Sequence, residues 1–156
     1  MSLTRREALS LGLSAAALSS AAILAAGRAG AATPPVFNAG GVALRGTDPV
    51  AFFVQGGPKP GRAAHAATWN GTTWHFESAE NRERFLADPA AYAPQYGGYC
   101  AWAVSRGYTA PTVPEAWEIV DNRLYLNFSL GVRARWRRDI PGNIARANAN
   151  WPGVLA

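Results

Sequence analysis

One cysteine, Cys100, most constrains the fold of this chain, because a single thiol cannot form a disulfide within the chain. Stability must therefore come from a packed core, and six tryptophans, all at or after Trp69, provide large apolar side chains for it. The thiol itself has four possible fates. It is inert and buried, paired with a group outside the chain, bound to a metal, or chemically reactive.

The first 31 residues have the pattern of a twin-arginine (Tat) export signal. Arg5 and Arg6 precede an apolar stretch, residues 9–26, that serines and glycine interrupt, which favours a removable signal over a permanent membrane anchor. Residues 29–31 read Ala-Gly-Ala and predict cleavage before Ala32, with an uncleaved anchor as the alternative. We therefore expect transport by the Tat translocase to the periplasm, with no stable membrane anchor afterwards.

The charge and length after the signal narrow the classes of function. The 125 residues that follow it carry 12 Lys or Arg and 9 Asp or Glu, so their net charge is only +3. A mild charge in the periplasm gives no reason to expect a nucleic-acid partner. This length suits a single domain. Pro34 and Pro35 predict an extended tether over residues 32–40, and the domain is expected over residues 41–152.

Two β-hairpins are predicted. Asn70-Gly71 lies between two strand-like segments, and both turn residues tolerate positive φ, so residues 66–69 and 72–76 are expected to pair. Trp74 and Phe76 then share one face of the second strand. A second hairpin is expected to join residues 117–120 to residues 123–127.

Short helices are predicted after residues whose side chains accept hydrogen bonds from helical amides. The predicted caps are Asp48 before Pro49, Ser78, Asp88 before Pro89, and Ser129. The helix after Ser129 carries an apolar stripe, is expected to end at Pro141-Gly142, and is followed by a last helix over residues 143–150. Together these elements predict an α+β fold: a small single domain of antiparallel β-hairpins packed with short helices.

Several segments resemble the YHS domain family, in particular its exported branch. They are DPVAFF from residue 48, WNGTTWHFESAENRERF from residue 69, YGGYCA from residue 96 and LYLN from residue 124. The resemblance runs from about Gly41 to Trp151, and it implies relatives with selenocysteine at the position of Cys100. It also implies soft-metal binding through cysteines, but Ala51, Glu77 and Asn81 stand where those cysteines are expected.

A metal site would therefore have to use Cys100 with other ligands. His65 and His75 are the only histidines, and two imidazoles with one thiolate suit copper or zinc. No close ligand spacing supports this set, and each histidine is otherwise expected at the surface. The chain's one methionine is Met1, so a methionine ligand is not expected after cleavage.

A reactive thiol is the alternative to a metal ligand. Gly97 and Gly98 allow close backbone approach before Cys100, and a helix that begins at Tyr99 or Cys100 would stabilise a thiolate with its amides. Asp48 is either a helix cap alone or a proton relay held near the thiol. The third interpretation is a buried, structural Cys100 beside Trp102 in a non-catalytic interaction module.

The arginines of the helix after Ser129 suggest acidic partners or lipid headgroups, but their spacing favours a solvated face. They are Arg133, Arg135, Arg137 and Arg138. We predict an exported YHS-type protein that acts through Cys100, in copper or zinc binding or handling. Thiol redox chemistry with a redox partner, or a non-catalytic interaction module, is the alternative. No established catalytic motif is present.

Overall fold

The computed structural model describes residues 31–156 of the chain. The predicted Tat signal, with Arg5 and Arg6, lies outside the described residues except for Ala31. The described residues form one compact unit of short strands and short helices, so the predicted α+β fold of hairpins and short helices is confirmed. None of the helices within residues 31–156 has the length and apolar character needed to span a membrane.

In the part of the chain that the structure describes, six strands form two sheets. The strands are β1 (Asn38–Ala39), β2 (Val42–Ala43), β3 (Arg62–Trp69), β4 (Thr72–Phe76), β5 (Trp117–Val120) and β6 (Arg123–Leu126). The first sheet has the order β1-β2-β4-β3, and the second is the hairpin β5-β6. Both predicted hairpins are therefore present. The sequence did not indicate that β2 runs parallel to β4, where Val42 is opposite Thr73.

The turn chemistry explains the first hairpin. Asn70 and Gly71 have φ values of 49° and 73°, the left-handed region that a two-residue turn of this kind requires. Trp69 then pairs with Thr72 and Ala67 with Trp74. Trp74 and Phe76 are buried on one face of β4, as their alternation predicts.

Residues 31–156 also contain six α-helices. They are α1 (Ala51–Val54), α2 (Ala79–Ala87), α3 (Pro89–Tyr92), α4 (Ala101–Ser105), α5 (Leu130–Trp136) and α6 (Ile140–Asn150). Ser78, Asp88 and Ser129 cap α2, α3 and α5 through their side chains, as predicted. Short 3₁₀ turns lie at Leu44–Gly46, Gln95–Gly98, Arg137–Asp139 and Gly153–Leu155.

The second hairpin lies between two apolar clusters. Leu124 and Leu126 of β6 pack into the cluster that contains Trp74 and Phe85 of the first sheet and α2. Tyr125, which points to the opposite face of the same strand, packs into the cluster that includes Trp136. Both faces of β6 are therefore buried, which explains its nearly unbroken apolar sequence.

The segment predicted as a tether, residues 32–40, belongs to the domain from Pro34 onward. Val36 is buried in the core, and Asn38–Ala39 forms β1. The Tyr99 hydroxyl donates to the Pro34 carbonyl at 2.9 Å. These contacts hold the backbone around Pro34 and Pro35 against the rest of the domain. At the other end, Val154 and Leu155 pack against the core, so the domain also extends past residue 152.

The expected helix break at Pro141-Gly142 is wrong. Helix α5 ends earlier, at Trp136, and Pro141 lies in the first turn of α6. A proline is tolerated there because the first amides of a helix have no intrahelical partner. Asp139 caps α6 by accepting a hydrogen bond from the Gly142 amide at 3.0 Å. The residue pair therefore begins a helix.

Candidate functional site

Cys100 lies directly before α4, at its N-cap position. Its amide donates to the Ala110 carbonyl at 3.0 Å, and its carbonyl accepts from the Val104 amide at 2.9 Å. The side chain is 1% exposed. The helix therefore begins one residue after Cys100, and the Cys100 backbone is hydrogen-bonded through both its amide and its carbonyl.

The sulfur of Cys100 contacts polar groups of the segment that follows β6. It accepts a hydrogen bond from the Phe128 amide at 3.3 Å, and it lies 3.7 Å from Oδ1 of Asn127, to which the thiol can donate. Burial raises the pKa of the Cys100 thiol above its usual range, although hydrogen bonds from the backbone of Ala103, Phe128 and Trp102 favour the thiolate and lower it. The two effects oppose each other, and burial is the larger.

Asn127 is the site residue that sequence reasoning missed. Its Oδ1 accepts from the Trp102 amide at 3.2 Å, so it caps α4 from another part of the chain. Its Nδ2 is buried and has no hydrogen-bond partner among the described residues. The signal available in the sequence was a polar residue that directly follows the apolar run of β6, inside the LYLN segment.

The glycine pair before Cys100 lets the backbone of Pro35 pack closely against it. Gly97 has φ of 61°, and a Cβ at this position would lie 1.9 Å from the Pro35 carbonyl oxygen. The Gly97 carbonyl accepts from the Phe37 amide at 2.9 Å. The carbonyl of Gly98 accepts from the Thr112 hydroxyl at 2.7 Å. Close approach at the pair is confirmed, and the group that approaches is the backbone of Pro35.

Asp48 bonds to a different set of groups from those around the thiol. Its Oδ1 accepts from the amides of Val50 and Ala51 at 2.8 and 3.4 Å, so it binds the amides that lead into α1, although the helix begins at Ala51, later than predicted, with Val50 at its N-cap position. Its Oδ2 accepts from the Glu77 amide at 2.8 Å and from Nδ2 of Asn81 at 2.7 Å. The carboxylate joins α1 to the start of α2, and Cys100 is not among its hydrogen-bond partners.

The two histidines lie on the first sheet, His65 on β3 and His75 on β4. Both are partly exposed, and His75 lines a shallow surface cavity beside Arg45 and Gly46. Cys100 lies directly before α4 and bonds to Asn127 and Phe128, which follow β6. Within residues 31–156, no group of three or more His, Cys, Asp or Glu side chains is close enough to hold a metal ion. The structure does not bring the predicted Cys100, His65 and His75 set together.

The thiol instead lines a cavity of about 280 Å³, which we call the thiol pocket. Its other apolar lining residues are Trp102, Ala103, Tyr108, Ala110, Phe128 and Val132. Tyr108 and Phe128 are both 52% exposed, so they form the rim of a pocket whose sulfur lies deep. Large aromatic side chains left half-exposed around a cavity are typical of ligand sites.

Comparisons with family models, with curated proteins and with solved structures find no match to this chain. The fold and the site together define an α+β domain with one deep thiol in an apolar pocket. The resemblance to exported YHS proteins rests on the sequence segments alone.

Proposed function

We propose that this is an exported, YHS-type thiol protein in which Cys100 reacts with a hydroperoxide inside the thiol pocket. The observation that carries the proposal is the sulfur's surroundings: an amide donor from Phe128 and a buried carboxamide from Asn127, in a cavity that leads to solvent. These groups are hydrogen-bond partners for a thiolate or an oxidised sulfur. They are not further metal ligands of the kind copper or zinc prefers.

The reaction is a two-electron oxidation of the thiol. The thiolate attacks one peroxide oxygen, an S–O bond forms, and the O–O bond breaks. The leaving oxygen takes up the proton lost by the thiol, so thiol and hydroperoxide become sulfenic acid and an alcohol or water. Nδ2 of Asn127, which has no partner among the described residues, is a donor available beside the new S–O group.

Recovery of the thiol requires a second thiol from another molecule. The chain contains no other cysteine, so the sulfenic acid cannot condense with a resolving thiol of its own chain. An external thiol would displace water from the sulfenic sulfur to give a mixed disulfide, and a further thiol would release Cys100 by exchange.

Export through the Tat translocase to the periplasm is part of the same proposal.

The experiment separates this function from soft-metal handling. Protein purified from the periplasm is analysed for copper and zinc, then treated with a hydroperoxide, and the Cys100 peptide is examined by mass spectrometry. We expect a metal-free protein that gains one oxygen atom at Cys100, and no such gain in Cys100→Ser. Near-stoichiometric copper or zinc that is lost in Cys100→Ser would overturn the redox proposal in favour of metal handling.

A variant at the pocket rim tests whether the pocket governs access. Phe128 is half-exposed, so Phe128→Ala removes part of the rim while its backbone amide still donates to the sulfur. We expect faster oxidation by a bulky organic hydroperoxide and little change with hydrogen peroxide. Leu86→Ala, at an exposed apolar residue of α2, is the matched control and should change neither rate.

A further inference from the structure

A second cavity, of about 230 Å³, is lined by side chains from α4 to α6, and we call it the arginine pocket. Its polar lining residues are Arg106, Arg135, Arg138, Asp139, Asn143 and Arg146. Four guanidinium groups and one carboxylate give this small surface a local charge of +3. A solvated face was expected for the arginines that follow Ser129. Two of them, Arg135 and Arg138, instead line this cavity.

The arginines of this region divide into two groups. Arg133 donates to the carbonyls of Glu115 and Trp117, and Arg137 pairs with Glu118, so both serve the fold. Arg135 and Arg138 line the arginine pocket and pair with no carboxylate in the part of the chain that the structure describes. Their positive charge is left for a ligand.

The other two arginines of the pocket are already positioned by their neighbours. Arg106 stacks on the Trp102 ring, with its guanidinium carbon 4.1 Å from the ring centroid. Arg146 donates to Oδ2 of Asp139 at 3.1 Å and to Oδ1 of Asn143 at 2.8 Å.

Asn143 is a buried polar residue in the lining of the arginine pocket. It is 1% exposed, and its Nδ2 donates to the Trp136 carbonyl at 2.9 Å, which fixes the direction of its carboxamide. The Asn143 oxygen that accepts from Arg146 is thereby held in place, and it holds the Arg146 guanidinium in turn. Donors positioned in this way reduce the ordering cost of binding an anion.

The arginine pocket adjoins the thiol pocket, because Trp102 and Arg135 line both. One end of the combined groove is cationic, and the other is apolar with a half-exposed aromatic rim. Each cavity is smaller than the roughly 300–1,000 Å³ of a typical drug-sized site. This shape suits a small molecule with an anionic head and one short alkyl chain.

We infer that the groove binds a medium-chain carboxylate, with the carboxylate in the arginine pocket and the alkyl chain along Trp102 into the thiol pocket. Guanidinium groups bind carboxylates through paired N–H donors, and the apolar lining accounts for the chain. Carboxylate binding does not depend on the proposed function. Only the identity of the substrate that oxidises Cys100 rests on it. The inference identifies an organic hydroperoxide with an anionic head as the matching substrate class.

Binding is tested by titrating the protein with octanoate at low salt, by calorimetry or tryptophan fluorescence. We expect Arg135→Gln/Arg138→Gln to weaken binding about tenfold, whereas Arg62→Gln, which removes one positive charge on β3 outside the groove, leaves it unchanged. Hexanoate, which is two methylenes shorter, should bind about fifteenfold more weakly. Bound octanoate should also slow alkylation of Cys100.

Five outcomes would overturn the inference. They are no octanoate binding, equal binding by the double variant, equal binding of octanol, binding only to phosphatidylglycerol vesicles, and equal binding of inorganic phosphate. The last would show that the alkyl chain contributes nothing to binding. Octanoate binding without oxidation of Cys100 refutes only the proposed function, and oxidation without octanoate binding refutes only this inference.

Discussion

The buried Asp48 carboxylate should be one of the largest single-residue contributions to stability in this domain. It is fully buried and accepts four hydrogen bonds, from the amides of Val50, Ala51 and Glu77 and from the side chain of Asn81. Three of the four are 2.7 or 2.8 Å long, which is the range of charge-assisted bonds. Removing the carboxylate leaves these buried donors without an acceptor.

The expected cost follows from those three short bonds. Each hydrogen bond to a charged group contributes about 1.5–3 kcal/mol, and water that enters the space left by the side chain recovers part of the loss. We expect Asp48→Ala to lower the free energy of unfolding by about 3–5 kcal/mol. Since a urea m value is about 1–3 kcal/mol/M, the unfolding midpoint should fall by at least about 1 M.

The assay is urea unfolding followed by tryptophan fluorescence, with Asp88→Ala as the matched control. Asp88 also caps a four-residue helix, but it is exposed, so its loss should cost only about 1 kcal/mol. A double-mutant cycle with Asn81→Ala should give a coupling energy of about 1.5–3 kcal/mol. The reasoning fails if Asp48→Ala costs no more than Asp88→Ala.

Three further predictions follow from the site and its surroundings. Because burial raises the pKa of Cys100 and only the thiolate reacts, its alkylation rate should rise about tenfold per pH unit from pH 7 to 9; a plateau below pH 8 contradicts this. Gly97→Ala should cost about 2–4 kcal/mol through its clash with Pro35, well above the cost of Gly71→Ala, which has positive φ but open space; equal costs in urea unfolding refute the clash. Replacing Arg5 and Arg6 by lysine should keep the protein out of the periplasmic fraction, and unchanged fractionation argues against Tat export.

Local chemistry accounts for the part of the fold that could be predicted from the sequence. Asn and Gly both tolerate the positive φ that a two-residue hairpin turn requires, so Asn70-Gly71 predicts the turn and the register on both sides of it. Ser78 and Ser129 cap their helices for the same local reason. These features depend on a few neighbouring residues, which is why the sequence alone predicts them.

The features that were missed depend on residues far apart in the chain. Asn127 caps α4 by bonding to Trp102, and nothing beside Asn127 in the sequence indicates that partner. Asp48 was predicted as a cap, but its bond to Asn81 joins residues 33 positions apart in the chain. The arginine pocket likewise requires α4 to pack against α6, a packing that no local pattern specifies.

The central claim is that Cys100 is a reactive thiol and not a packing residue, and one comparison tests it directly. The folded protein and the urea-unfolded chain are treated with the same organic hydroperoxide at the same pH, and the oxidation state of Cys100 is followed by mass spectrometry. We predict that folded Cys100 gains a single oxygen atom and stops there, because the thiol pocket shields the sulfur, whereas the unfolded chain is oxidised further. A folded Cys100 that stays fully reduced while the unfolded chain is oxidised would contradict the account.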